Sequence, residues 1–211
     1  MHAGTCSNPT GNEADVMYNG DFHTYQFCNG TQWMSEGAIG ASGGLMLIST
    51  QTASSSASLQ FTSLPSSYNT LFLNCADLLF SNSTATVHPV IGEGAGPTWE
   101  SGAHYTASYQ WSGPSDNGAG SVTTAVDWAA TGATISTTAP YSMRAYMDNV
   151  GSSTAYKNIT WSSASTNQAG KYYEAIGVGY WNNDTNPITG IQISPSAGNI
   201  VSGTCSLYGL N

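Results

Sequence analysis

The chain has 211 residues, enough for one substantial core with at most a small appendage. Only 7% of it is charged, and the formal charge of -9 comes from scattered Asp and Glu residues rather than an acidic run. Lys157, Lys171 and Arg144 are the only strong cations, so nucleic acid, whose phosphates need neutralising, is not expected as a partner, and no stretch is apolar for long enough to span a bilayer.

Gly, Ser, Thr and Asn abound where Lys, Glu and Arg are scarce, a balance that disfavours helices and favours strands joined by turns. The opening Met1-His2-Ala3-Gly4 lacks the charged start and apolar core of a signal peptide, so no export signal is expected. The even number of cysteines, four, and the low charge nevertheless suit an environment outside the cytoplasm.

Residues 1–37 read as a compact unit. Asn19-Gly20-Asp21 lies between two short apolar runs, a hairpin signal, and Asn29-Gly30 supplies a second turn before Trp33. Two hairpins and one tryptophan make too small a core to stand alone. A Cys6–Cys28 bridge is therefore predicted, closing a loop of roughly 23 residues and contributing about 3 kcal/mol in the chain-entropy model. Residues 38–58 read as a Gly/Ala/Ser-rich linker holding one short strand, Leu45 to Ser49.

From residue 59 to 211 short strands follow at the spacing of an antiparallel β-sandwich. They are predicted at Leu59 to Phe61, Thr70 to Leu79, Ala85 to Ile91, His104 to Trp111, Ser121 to Trp128, Tyr141 to Met147, Tyr156 to Trp161, Tyr172 to Trp181, Ile188 to Ile193 and Val201 to Tyr208. No segment of helical length has a 3.6-residue period. In the last strand Thr204, Ser206 and Tyr208 alternate with Gly203, Cys205 and Leu207, the pattern of a strand with one buried face, and the chain is expected to end inside its own sheet. Cys75 beside Leu71 and Leu73, and Cys205 beside Leu207, both fall on inward faces.

The closing run from Ser196 to Gly209 resembles the final strand of a β-sandwich of tailed-bacteriophage structural proteins, Ser-Gly-Asn-Ile-x-Ser-Gly-Thr-x-x-Leu-Tyr-Gly, nearly unbroken from Gly198 onward. The pattern Cys6-x-x-Pro9-x-Gly11, Tyr18-Asn19-x-Asp21 and Gln26-x-Cys28-Asn29-Gly30-x-x-Trp33 resembles a small module of phage and bacterial surface fibres. Leu59 to Tyr68 leading into Leu71-Phe72-Leu73 resembles the opening of the phage sandwich. The region from Ser112 to Asn186 carries no such match. The resemblance implies an all-β, jelly-roll-like sandwich behind a stapled anchoring module. It also implies that the strands of Cys75 and Cys205 are neighbours, so that their sulfurs either bond, worth about 5 kcal/mol in the same model, or stay as buried thiols.

Several constellations mimic catalytic or binding motifs. Gly40-Ala41-Ser42-Gly43-Gly44 fits the nucleophile expression of serine hydrolases. It lacks the preceding strand and following helix that build the elbow, so Ser42 reads as linker. Gly92-Glu93-Gly94-Ala95-Gly96 mimics a phosphate loop, but Pro97-Thr98-Trp99 follows where a helix N-terminus is required. His2, His23, His88 and His104 are far apart without metal-ligand spacing. Asp77, Asp116, Asp127, Asp148 and Asp184 lack the density of a calcium loop. Glu93 and Glu100 flank the glycine loop and invite comparison with a glycosidase acid pair, but their surroundings read as flexible. Neither metal nor cofactor is expected.

The six tryptophans and twelve tyrosines are the feature most open to a binding reading, with Trp99, Trp111, Trp161, Tyr180 and Trp181 as ligand or interface aromatics; strand cores and subunit interfaces use the same residues. The resemblance implies a non-enzymatic virion component, made in the host cytoplasm and exposed on the particle. A capsid decoration or short head-fibre protein is expected, a homotrimer docked on other virion proteins such as the major capsid protein. The alternative is a tail-fibre tip module recognising host surface glycan.

Overall fold

The computed structural model describes residues 4–20, 24–35, 44–100, 105–114, 117–125, 136–167, 169–181 and 183–211, without the side chains of Thr24, Ser35, His88 and of residues 122–125. Every regular element among them is a strand, and every pairing is antiparallel. The chain divides into two compact units, Met1–Gly44 and Leu45–Asn211.

In the first unit β1 (Thr5–Cys6) pairs with β2 (Gly11–Asn12), and β3 (Val16–Asn19), β4 (Thr24–Cys28) and β5 (Trp33–Ser35) form a meander. The turn between β4 and β5 is closed by the Asn29 side chain, whose Oδ1 accepts the amides of Thr31 and Gln32, while Gly30 takes a φ of 89° that suits a residue without Cβ. Among the described residues of this unit only Cys6, Gly11 and Cys28 are buried. Its core is thus the Cys6–Cys28 disulfide itself, flanked by mutual backbone bonds of Ala14 and Asp15 with Cys28.

The second unit contains β6 (Met46–Thr52), β7 (Leu59–Thr62), β8 (Thr70–Phe80), β9 (Val87–Glu93), β10 (Thr98–Trp99), β11 (Tyr105–Ser112), β12 (Asn117–Ala125), β13 (Tyr141–Asp148), β14 (Lys157–Thr166), β15 (Tyr172–Trp181), β16 (Gly190–Pro195) and β17 (Ile200–Leu210). They form an eight-stranded sheet, β12-β11-β15-β14-β13-β8-β17-β6, and a four-stranded sheet, β10-β9-β16-β7. One apolar cluster joins the layers, with Phe61, Ile91, Ile191 and Ile193 of the small sheet meeting Leu73, Met143, Ile159 and Leu207 of the large one. This is a β-sandwich of unequal sheets, the chain passing repeatedly between them as sandwich folds require.

Two differences from the sequence reading follow from packing. β6, assigned to a linker, pairs along β17 and is the edge strand of the large sheet, so residues 45–58 belong to the sandwich. β14 continues from Trp161 to Thr166 because β13 and β15 bond it on both sides. The strand predicted from Ser121 to Trp128 is observed as Asn117–Ala125, and Trp128 lies outside the described residues.

Within β8 the buried positions change parity, from Leu71, Leu73 and Cys75 to Leu78 and Phe80. Asp77 makes the change with a φ of 57°, opposite a shift in register with β17 and against Gly203 at 106°. A bulge inserts the extra residue that lets both halves of one strand face the core.

Candidate functional site: aromatic faces of the large sheet and an acidic pair

Each strand of the large sheet sends alternate residues to opposite faces. On the inner face, Tyr109 and Trp111 of β11 and Trp161 of β14 form a strip, with ring centroids 5.9 Å apart for Tyr109–Trp111 and 6.4 Å for Tyr109–Trp161. The strip is possible because cross-strand partners are glycines: Trp111 faces Gly118, Tyr109 faces Gly120 and Trp161 faces Gly177. A Cβ on any of the three would collide with the ring lying over it. Sequence reasoning named Trp111 and Trp161 but missed Tyr109, whose alternation with Trp111 in Tyr109-Gln110-Trp111 was the available signal.

The other named aromatics do not converge there. Trp181 is fully buried in the sandwich core, which removes it from any surface contact. Trp161, itself a member of the strip, is also buried. Trp99, on the small sheet, packs over Gly92 and Gly190. Tyr180 points to the outer face, its ring 6.1 Å from that of Tyr156.

The outer face carries a transverse row set by register: Val178 pairs with Thr160, Thr160 with Tyr146, Tyr146 with Phe72, Phe72 with Tyr208 and Tyr208 with Leu47. Phe72 and Tyr146 stack at 4.6 Å with an interplanar angle of 28°. Beside this row runs a polar one, Ser162, Arg144, Asn74, Ser206 and Thr50. Between the two rows lies an open groove of about 570 Å³ lined by Phe72, Asn74, Arg144, Tyr146, Thr160, Trp161 and Ser162. Arg144 Nε donates to Asn74 Oδ1 at 3.2 Å.

At one end of the sandwich, Glu93 from the end of β9 meets Asp184 from the β15–β16 connection. Burial is the main cause that pushes the Glu93 carboxyl up to about 7, reinforced by the charge and hydrogen bonding of Asp184 and by Glu100, and opposed by a bond from Asn186. Its Oε1 is buried without a hydrogen-bond partner among the described residues. The Asn186 amides hold Asp184 at 2.7 and 3.0 Å. Behind the pair, Lys157 is buried, and its Nζ donates to the carbonyls of Ser152, Ala155 and Thr185 at 2.8, 2.9 and 2.8 Å. Burial lowers its pKa against the opposing pull of Asp184 and Glu93. The carboxyl that acts most on Glu93 is thus Asp184, with Glu100 a lesser influence.

Ser42 and the histidines His2, His23 and His104 lie outside the described residues, as do Asp116 and Asp127, and the His88 side chain is not described. Among the described residues no group of three His, Cys, Asp or Glu side chains is arranged to hold a metal ion. No described helix is long and apolar enough to cross a membrane. Comparison with known proteins returns no match to a protein-family model, to a curated protein or to a solved structure.

Proposed function

We propose that this chain is a non-enzymatic structural protein of a tailed-phage virion, a capsid decoration or short head-fibre protein that displays the sandwich on the particle surface. The observation that carries this reading is the outer face of the large sheet. It is broad, carries few charges, Arg144 and Glu174 among them, and is set with exposed Tyr172, Ile176, Val178 and Tyr180 on one strand, which is surface suited to assembly. The chain then works as a homotrimer joined through these residues, docked on a partner such as the major capsid protein. Mass spectrometry and image reconstruction of purified particles test the proposal. Many copies arranged on the head are expected; absence from purified particles overturns it.

A second reading, host attachment from a tail-fibre tip through surface glycan, is favoured by the groove around Arg144, where one cation stands beside stacked rings. A few copies at the tail, in place of many on the head, decide for it.

A further inference from the structure

We infer that the groove between β8, β13 and β14 binds a sugar residue carrying a carboxylate, a uronate or sialate unit of a surface glycan. The proposal deepens the attachment reading by naming the ligand class and the residues that select it.

The argument starts from the scarcity of cations. Of the three strong cations in the chain, Lys157 is buried with its donors spent on three carbonyls, and Lys171 lies between β14 and β15. Arg144 alone stands on the outer face of the sheet. A protein of formal charge -9 places its exposed guanidinium midway across its widest surface, where β8 and β14 flank it.

Asn74 holds that guanidinium. The bond from Nε to Asn74 Oδ1 orients the fork, and among the described residues the two terminal nitrogens donate to no protein acceptor, although the Glu174 carboxylate of β15 lines an adjoining groove with Arg144 and competes for its charge. A planar fork with free donors matches a carboxylate better than a lysine would. Immediately beside it, the Phe72–Tyr146 stack offers the apolar ring face against which a pyranose lays its C–H edge. The hydroxyls of Thr160 and Ser162 line the same groove and supply the rim contacts that sugar hydroxyls need. The volume of about 570 Å³ falls within the range of small-ligand sites. Charge, platform and rim thus come together from three strands, and the single cation excludes a phosphate-rich polymer as occupant.

The test is ligand-observed NMR on the intact protein with sialyllactose, a glucuronate-containing disaccharide and neutral lactose as probes. At least one acidic sugar is expected to bind and lactose to bind far more weakly. Arg144→Ala should weaken the acidic sugar about tenfold or more. Arg144→Lys should recover only part of that loss, because the charge returns without the fork. Phe72→Ala should weaken acidic and neutral sugars alike. Thermal melting of each variant confirms that it folds; should Phe72→Ala melt early, Tyr146→Ala serves instead. Equal binding of lactose, no binding of either acidic probe, or an unchanged affinity in Arg144→Ala overturns the proposal. If Arg144→Ala alters the oligomer mass while no sugar binds the native protein, the groove belongs to an interface between copies and the proposal also falls. Cell adsorption that persists in Arg144→Ala overturns the groove as the receptor site and leaves the attachment reading standing.

Discussion

A lysine without exposed surface keeps its charge only where the protein replaces the water it has lost, and Lys157 does so with three backbone carbonyls drawn from two separate loops. The side chain therefore ties the β13–β14 connection to the β15–β16 connection. Lys157→Met leaves those carbonyls without their donor and should cost about 3 kcal/mol or more, read by chemical denaturation; a loss under about 1 kcal/mol would show that water takes over the role. Glu93, packed nearby, gives a pH dependence with a definite sign. Its folded pKa of about 7 lies above the ordinary 4.5, so the native state retains a proton that the unfolded chain has already released. The contribution is fully present below about pH 4.5 and is lost as pH rises through about 7. Asp184 and Glu100 raise the value, while Asn186 opposes the shift and the cationic Lys157 lies in the same cluster. Between pH about 5 and about 8 the wild-type Tm should fall, whereas Glu93→Gln, neutral throughout, should lose that component of the slope. Parallel slopes in the two proteins would mean that Glu93 ionises as an ordinary surface carboxylate.

At the scale of elements, β8 and β17 form the spine of the large sheet, and Cys75 faces Cys205 across them in register and is bonded to it. The bridge spans a sequence separation of 130 residues, worth about 5 kcal/mol by chain entropy. Replacing both cysteines by alanine should lower the denaturation free energy of the sandwich by about 3 to 5 kcal/mol, leaving the Cys6–Cys28 staple intact by peptide mapping. Loss of less than about 1 kcal/mol would place the stabilisation in the packing around the sulfurs instead. The inward cysteines were legible in the sequence because Leu71, Leu73 and Cys75 of β8, before its bulge, and Cys205 and Leu207 of β17 fall on alternate positions. The strand of β6 was legible from Leu45 to Ser49, but its place in the sandwich was not: as an edge strand bonded only to β17, it keeps Met46 and Leu47 exposed and lacks the alternation of a strand with a buried face. The outer row from Val178 to Leu47 was equally hidden, since it exists only in the register of strands remote in sequence. The same holds for Glu93 and Asp184, which a sandwich end brings together without any local motif.

For the whole molecule, the distribution of apolar surface argues for association. β15 lies inside the large sheet between β11 and β14, yet Tyr172, Ile176 and Val178 expose 57%, 57% and 56% of their surface on its outer side. Interior strands of a half-solvated sheet usually turn polar residues to water, and although Glu174 interrupts the series after Tyr172, the consecutive outward positions Ile176, Val178 and Tyr180 leave an apolar stripe that a sister subunit would bury. Tyr180 and Tyr156 extend the stripe at one end. Such rigid side chains supply contact area at small entropic cost. Light scattering of the purified protein at micromolar concentration should therefore give about three times the 22.0 kDa chain mass. The double variant Ile176→Glu/Val178→Glu places two like charges in that stripe on every copy and should convert the trimer to monomer. Because both positions face outward, the variant's Tm, read on the dissociated chain, should stay close to that of wild type diluted until it too is monomeric. A wild-type protein that is monomeric at every concentration, or a charged variant that keeps the full oligomer mass, would move the interface away from β15.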